Sequence, residues 1–293
     1  MSDFFDLFLL KTILRLAAPL IFAAMGGLLS EKSGVMNIAL EGMMLVGAFF
    51  SVVGVHYFDS LWLGVLLGIV AAGVTGFIHA FWCITLRADQ IIAGTAINLL
   101  GSGITVFLMV RIWQQSGQTP RVGRLPTFWG TMSILVPIAF ALVPVVWWVL
   151  YRTKIGLHIQ AAGESPKSAE SVGINVNMYR YVCVTLSGVL AGMGGIVLAL
   201  GELSGFAREM TQGKGFIALA AMIFGNWTPV GALAACLLFA GSQAFTIQAQ
   251  ATQLGINTDL LLALPYLLTL VAIAGFVRRS RAPGGLGQHA TDR

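Results

Sequence analysis

Leu61–Leu86 reads LWLGVLLGIVAAGVTGFIHAFWCITL and contains no Asp, Glu, Lys or Arg. A helix crosses the hydrocarbon core of a bilayer with about 20 mostly apolar residues, so this stretch predicts a membrane span. Working outward, the same reading predicts spans at Leu16–Leu29, extended back by Leu7–Leu14, and at Met43–Val55, Ile91–Val110, Met132–Leu150, Tyr181–Leu200, Val230–Phe245 and Leu260–Val277. Two further apolar stretches are too short or too broken to span simply. Val35–Leu45 carries Asn37 and Glu41, and Phe216–Phe224 stops at Gly225-Asn226-Trp227-Thr228-Pro229. The expected fold is all-α: a polytopic transmembrane helical bundle of about eight to ten segments, some discontinuous, in one domain over residues 1–293. Irregular backbone at membrane depth survives only where it packs on protein or lines a cavity, so the broken segments point to a transport path.

Composition agrees. The chain is 57% hydrophobic and 10% charged, whereas soluble domains carry about 25% charged residues. The net charge of +5 raises the question of nucleic acid, but no basic cluster is interleaved with aromatics as a single-strand groove requires. The basic residues lie mainly between apolar runs and at the C-terminus, where they set orientation. Cys83, Cys183 and Cys236 each fall inside an apolar run and read as small buried hydrophobes. None of the four histidines has Cys or carboxylate neighbours at ligand spacing, and no role is expected for them or for a metal. The N-terminus has acids before its first base and does not read as a cleaved signal peptide.

Arg278, Arg279 and Arg281 place the tail, residues 277–293, in the cytoplasm. Counting back, the loop 151–180 with Arg152, Lys154, Lys167 and Arg180 is cytoplasmic too. Continued alternation puts the loop 111–130 and the N-terminus outside, unless one early segment is re-entrant.

The most informative stretch for chemistry is Glu31-Lys32-Ser33-Gly34-Val35-Met36-Asn37-Ile38-Ala39-Leu40-Glu41-Gly42-Met43-Met44. Asn37 and Glu41 share one face of a helix. A carboxylate inside a span costs about 2.5–3.5 kcal/mol on insertion scales, so it turns toward a partner or a wet cavity. Three readings stay open: Glu41 pairs with a backbone amide and braces the bundle, Asn37 and Glu41 line the substrate path, or Glu41 relays protons. Asn98 and Gln243 either bond across helices or face the path. Glu202 and Glu209, near Arg208, read as parts of a solvated loop. Gly64/Gly68 and Gly188/Gly192, with Gly195 following, allow close helix approach in lipid.

The loop 151–180 reads as two short helices. Ile155–Ala162 is followed by Gly163 as a stop; Ser165 then offers an N-cap, with Pro166 at the first helical position. Gly173 ends the second helix. Two short helices on the cytoplasmic side suit contact with a soluble partner.

Ser33–Met44 resembles the N-terminal signature of ATP-binding-cassette (ABC) importer permeases in the branched-chain amino acid, ribose and nucleoside group. Arg152–Leu157 with Ala161–Ile174 resembles that family's cytoplasmic loop that docks on the ATPase. Lys214–Ala232 resembles a third motif, and the three occur in the family's order. Met36 and Ala39 stand where a branched residue and a glycine are more usual. The resemblance implies a vitamin-B12-permease-like fold in a bacterial cytoplasmic membrane. It implies a second permease chain, two cytoplasmic ATPase subunits that bind ATP and Mg, and an extracytoplasmic binding protein, with no cofactor in this chain. No Walker A sequence is present, so the chain is not expected to be an enzyme. Gly156, Gly163, Glu164, Ser165, Pro166, Ala169 and Gly173 are implied to serve ATPase coupling, while Asn37, Glu41 and Asn98, polar residues in apolar segments, are the candidates for the path. The Asn–Glu form of the first motif leans toward nucleosides or simple sugars, with branched-chain amino acids as the alternative substrate. A different function, transport driven by an ion gradient, would need a relay of several intramembrane acids or histidines, and only Glu41 is a strong candidate.

Overall fold

A computed structural model of the chain describes residues 7–130, 132–251 and 281–288. The elements in order are α1 (Leu7–Lys32), α2 (Leu40–Phe58), α3 (Leu61–Ala80), α4 (Gln90–Trp113), the two-residue strands β1 (Thr127–Phe128) and β2 (Met132–Ser133), α5 (Leu135–Arg152), α6 (Lys154–Glu164), α7 (Pro166–Ser171), α8 (Val176–Ile196), α9 (Lys214–Phe224) and α10 (Pro229–Ala251). Two helices continue into wide π turns, α3 through Phe81–Thr85 and α8 through Val197–Leu203. Among the described residues seven helices are long and apolar enough to cross a membrane. The span expected at Leu260–Val277 lies outside the described residues.

The expected extra segment Val35–Leu45 is divided. Residues 33–39 are an irregular connection, and Leu40 begins α2. Gly34 at φ +97 makes the turn out of α1, a conformation that favours glycine. The second broken stretch is α9, only 11 residues long, or about 16 Å, roughly half a membrane thickness. Asn226 and Trp227, both at positive φ, reverse it into α10.

The centre is built on small residues. A Cβ on Gly195 of α8 would lie 1.9 Å from the Met44 carbonyl oxygen of α2, and one on Gly47 would lie 2.5 Å from Gly192 Cα. Helices in lipid gain little from burying apolar surface, so van der Waals contact between close backbones replaces it. Around this centre α2 packs on α3 and α8, and α1 on α8, α9 and α10. Leu66, Val70, Val74 and Phe77 form an exposed apolar stripe along α3, spaced as one helix face and suited to lipid. Cys83, Cys183 and Cys236 are free and buried.

Charges near the ends are spent inside the bundle. Glu202, expected in a solvated loop, pairs with Arg15 at 3.1 Å. Arg124 Nε donates to the Gly201 carbonyl at 2.9 Å, so this base of the 111–130 loop is tied down rather than free.

The Lys32 end of α1 sits against α6: a Cβ on Gly163 would lie 2.1 Å from the Lys32 carbonyl oxygen. This explains a departure from the sequence reading. Gly163, expected to stop a helix, lies inside α6, and it is small because the α1 backbone touches it there. Gly173 does end α7, at φ +87. Ser165 has an extended N-cap backbone, but its hydroxyl bonds Ser168 Oγ at 2.7 Å instead of a backbone amide. Ser168 and Ser171 are exposed. A single cysteine at either position is expected to react with an impermeant thiol reagent in inside-out vesicles and not in intact cells. Labelling of intact cells would reverse the orientation.

Candidate functional site

The break at 33–39 is held by side chains from three helices. From α3, His79 Nε2 meets the Met36 carbonyl at 3.1 Å. From α4, Gln90 Oε1 accepts from Met36 N at 2.7 Å, and Asn98 Nδ2 donates to the Ile38 carbonyl at 2.9 Å. From α8, Arg180 Nε donates to the Ser33 carbonyl at 3.2 Å, and Ser187 Oγ accepts from Asn37 Nδ2 at 2.7 Å. His79, Arg180 and Ser187 are buried, at 0%, 2% and 0% exposure. Backbone groups released from a helix in lipid must find partners within the protein, and this set supplies them. His79 was not expected to have any role. Arg180, Gln90 and Ser187 are likewise site residues that no local pattern in the sequence marks.

Asn37 itself is fully buried, with its Oδ1 accepting from Ala39 N at 3.1 Å. Glu41, 7% exposed, reaches across to the start of α9, where Oε1 accepts from Gly213 N at 2.7 Å and Oε2 from Gly215 N at 2.6 Å. The amides at a helix N-terminus are unsatisfied donors with a partial positive charge, and a carboxylate there is favoured. Thus one carboxylate joins the two discontinuous segments. Gly215 is small for the same contact, since a Cβ there would lie 2.5 Å from Glu41 N.

Asn98 has two faces. Its Oδ1 accepts from Gly42 N at 2.7 Å, and the residue is only partly buried. Thr95, Asn98 and Ser102 follow one another along one side of α4; Thr95 is exposed and Ser102 partly so. Ser102 Oγ donates to Glu209 Oε1 in the segment 204–213. That segment folds back with Glu209, Gln212 and Gly213 all at positive φ. The result is a polar strip of Thr95, Asn98, Ser102 and Glu209 beside the exposed Leu99, Leu100 and Ile104 of α4, with Asn98 bonded behind it to Ile38 and Gly42.

At the other end of the break lies the α6–α7 pair. Ala169 packs with Ala162 and Val176, and Pro166 is buried while Glu164, Ser165, Lys167 and Ser168 are exposed. Gly156 is pressed against the end of α5, where a Cβ would lie 2.1 Å from the Val149 carbonyl oxygen. Trp227 Nε1 donates to Glu31 Oε2 at 2.6 Å, binding the α9–α10 turn to the end of α1. Among the described residues no three His, Cys, Asp or Glu are grouped to hold a metal ion.

Residues 9–273 match the family described as branched-chain amino acid transport system, permease component. A guanosine ABC transporter permease protein of Bacillus subtilis, NupQ, is 38% identical over 92% of this chain and 92% of its own length. A nucleoside ABC transporter permease protein of Lactococcus lactis, NupC, is 35% identical over 94% of both chains. A putative glucose ABC transporter permease protein of Haloferax volcanii, TsgC13, is 36% identical over 87% of this chain and 82% of its own.

Proposed function

The chain belongs to the branched-chain amino acid transport permease family, the multi-pass membrane components of ABC importers, and from that premise we propose that its cargo is a nucleoside. The observation that carries this reading is the near full-length similarity to two permeases named for guanosine and nucleoside transport. The similarity to a putative glucose permease keeps simple sugars as the second reading. The two cargoes share a hydroxyl-rich ring and need hydrogen-bonding partners rather than countercharges.

In this proposal the polar strip of α4 with Glu209 is the wall the cargo passes. Asn98 and Ser102 offer hydrogen bonds to ribose hydroxyls. Asn37 and Glu41 serve the path from behind by holding its two broken segments in register. A sparse strip suits transport, because a dense polar site would trap the cargo between cycles. The α6–α7 pair docks on the ATPase through its exposed Glu164, Ser165, Lys167 and Ser168, with buried Pro166 and Ala169 and the glycines Gly156, Gly163 and Gly173 fixing its shape. Those partner subunits bind ATP with Mg and hydrolyse the ATP, and this chain contributes no ATPase site. A second permease chain and an extracytoplasmic binding protein complete the assembly.

The test is uptake by the reconstituted full assembly, binding protein included, with labelled guanosine, ribose and leucine. The expected result is ATP-dependent uptake of guanosine. Uptake of leucine alone would overturn the cargo assignment, and uptake that follows a proton gradient without ATP would overturn the mechanism. Ser102→Leu is expected to lower guanosine uptake about tenfold, about 1.4 kcal/mol, at unchanged yield, because Ser102 is partly exposed. Unchanged uptake by that variant would remove the strip from the path.

A further inference from the structure

Residues 281–288 lie against three separate parts of the fold through backbone donors. Arg281 N donates to Asn226 Oδ1 at 2.9 Å, in the α9–α10 turn. Gly284 N donates to Glu164 Oε2 at 3.0 Å, and Gly285 N to the Gly163 carbonyl at 2.8 Å, both at the end of α6. Gly287 N donates to the Gly34 carbonyl at 3.1 Å, in the break between α1 and α2. The segment is shaped for this. Leu286 N bonds the Pro283 carbonyl and Gln288 N the Gly285 carbonyl, each at 3.1 Å, and Gly287 takes φ +79. Pro283 and Gly285 are buried, and Leu286 packs against the main core. Gly285 has no room for a side chain: a Cβ would lie 2.6 Å from Pro166 Cδ and 2.8 Å from the Gly163 oxygen. It is wedged at the α6–α7 junction.

These bonds thread the segment between three parts that are otherwise far apart in the chain. They are the proposed ATPase-docking pair, the break that backs the polar strip, and the turn that anchors α9. Gly34 also touches α6 directly, since a Cβ on Gly34 would lie 3.3 Å from Gly163 Cα, and it meets Arg180 of α8, with Nη2 at 2.8 Å. We propose that Arg281–Gln288 is a coupling strap, a positioning segment that makes α6–α7, the α1–α2 break and the α9–α10 turn move as one body. A displacement of α6–α7 by the ATPase then reaches Gly34–Ala39 through Gly285 and Gly287, and α9 through Asn226. Without the strap the docking pair shifts while the break stays, and ATP is hydrolysed without transport. This rests on the reading of α6–α7 as the ATPase-docking pair.

Two variants test it in proteoliposomes holding the complete assembly: Gly285→Val, which has no space at the α6–α7 junction, and a chain ending at Ser280. The readout is guanosine imported per ATP hydrolysed, together with yield and ATPase co-purification. The expected result is normal yield and co-purification, ATP hydrolysis retained, and import per ATP lowered about tenfold, the order of a typical coupling between sites. An unchanged ratio in both variants overturns the strap. Loss of the ATPase subunits from both would make the tail part of the docking surface, and loss of both at the level of yield would make it structural only; either outcome also overturns the proposal. Should Gly285→Val alone fail to assemble, the shortened chain decides. Ala169→Pro separates the two readings. If that variant keeps both ATPase and uptake, the docking assignment falls; if it behaves as expected while the strap variants keep their ratio, only the strap falls.

Discussion

Glu41→Leu is expected to cut the yield of assembled permease several-fold and to leave little ATP-driven uptake in what remains. Leucine fills the space but accepts no hydrogen bond. Gly213 N and Gly215 N would lose the partners they meet at 2.7 and 2.6 Å, in a site where Glu41 is 7% exposed and water cannot easily replace it. An unsatisfied buried donor costs about 1–3 kcal/mol, so the pair costs about 2–6 kcal/mol, a large fraction of a protein's net stability. The start of α9 would also lose the charge that complements its dipole. Glu41→Gln keeps one acceptor oxygen but turns an amide N–H toward the other backbone donor. It is expected to recover part of the yield and part of the uptake. Yield by size-exclusion chromatography and uptake per assembled complex separate the possible roles. A fall in yield marks the brace, a fall in uptake at normal yield marks a group facing the path, and a Gln variant as inactive as Leu at normal yield marks a proton relay. Wild-type yield and uptake in Glu41→Leu would show that the bridge to α9 carries nothing.

Ala169→Pro is expected to abolish ATP-driven uptake while the protein still inserts normally. Ala169 N bonds the Ser165 carbonyl at 3.0 Å and is the donor that closes the first turn of α7. Proline removes that donor, and its ring clashes with the residue 165 carbonyl, at about 3 kcal/mol or more. α7 has six residues, too few to tolerate a break. Pro166 is already accommodated because the first helical position needs no intrahelical donor. α7 is a six-residue helix outside the seven long ones and touches α8 only at its first turn, through Val176, so membrane insertion and expression should hold. Co-purification of the ATPase subunits is expected to weaken with uptake. Full uptake by this variant would remove α6–α7 from coupling.

The long helices could be read from runs such as Leu61–Leu86 because lipid imposes a simple requirement: some 20 apolar residues whose backbone groups bond within the segment. The break at 33–39 was readable for the opposite reason. Asn37 and Glu41 are poorly suited to the middle of an apolar span and marked its neighbourhood, but they do not share a helix face as expected: Asn37 lies in the irregular connection and only Glu41 is in α2. The start of α7 was readable from Pro166 and its end from Gly173, since both act through local backbone geometry. Gly163 was misread because a glycine that ends a helix and one that admits a neighbouring backbone look the same in one dimension. The neighbour is Lys32, far away in the chain.

Sequence by itself determined the membrane class, the all-helical architecture and the neighbourhood in which the bundle is interrupted. Each follows from hydropathy, local dihedral preference or charge, properties carried by a residue and its near neighbours. Tertiary structure alone decided what the interruption is attached to. Asn37 bonds Ser187 across 150 residues, Glu41 bonds Gly213 and Gly215 across 172 and 174, and Glu31 bonds Trp227 across 196. Such partners are selected by the requirement that buried polar groups be paired. That requirement states that a partner must exist, but only the packing of α1, α2, α8 and α9 determines which residue arrives within reach.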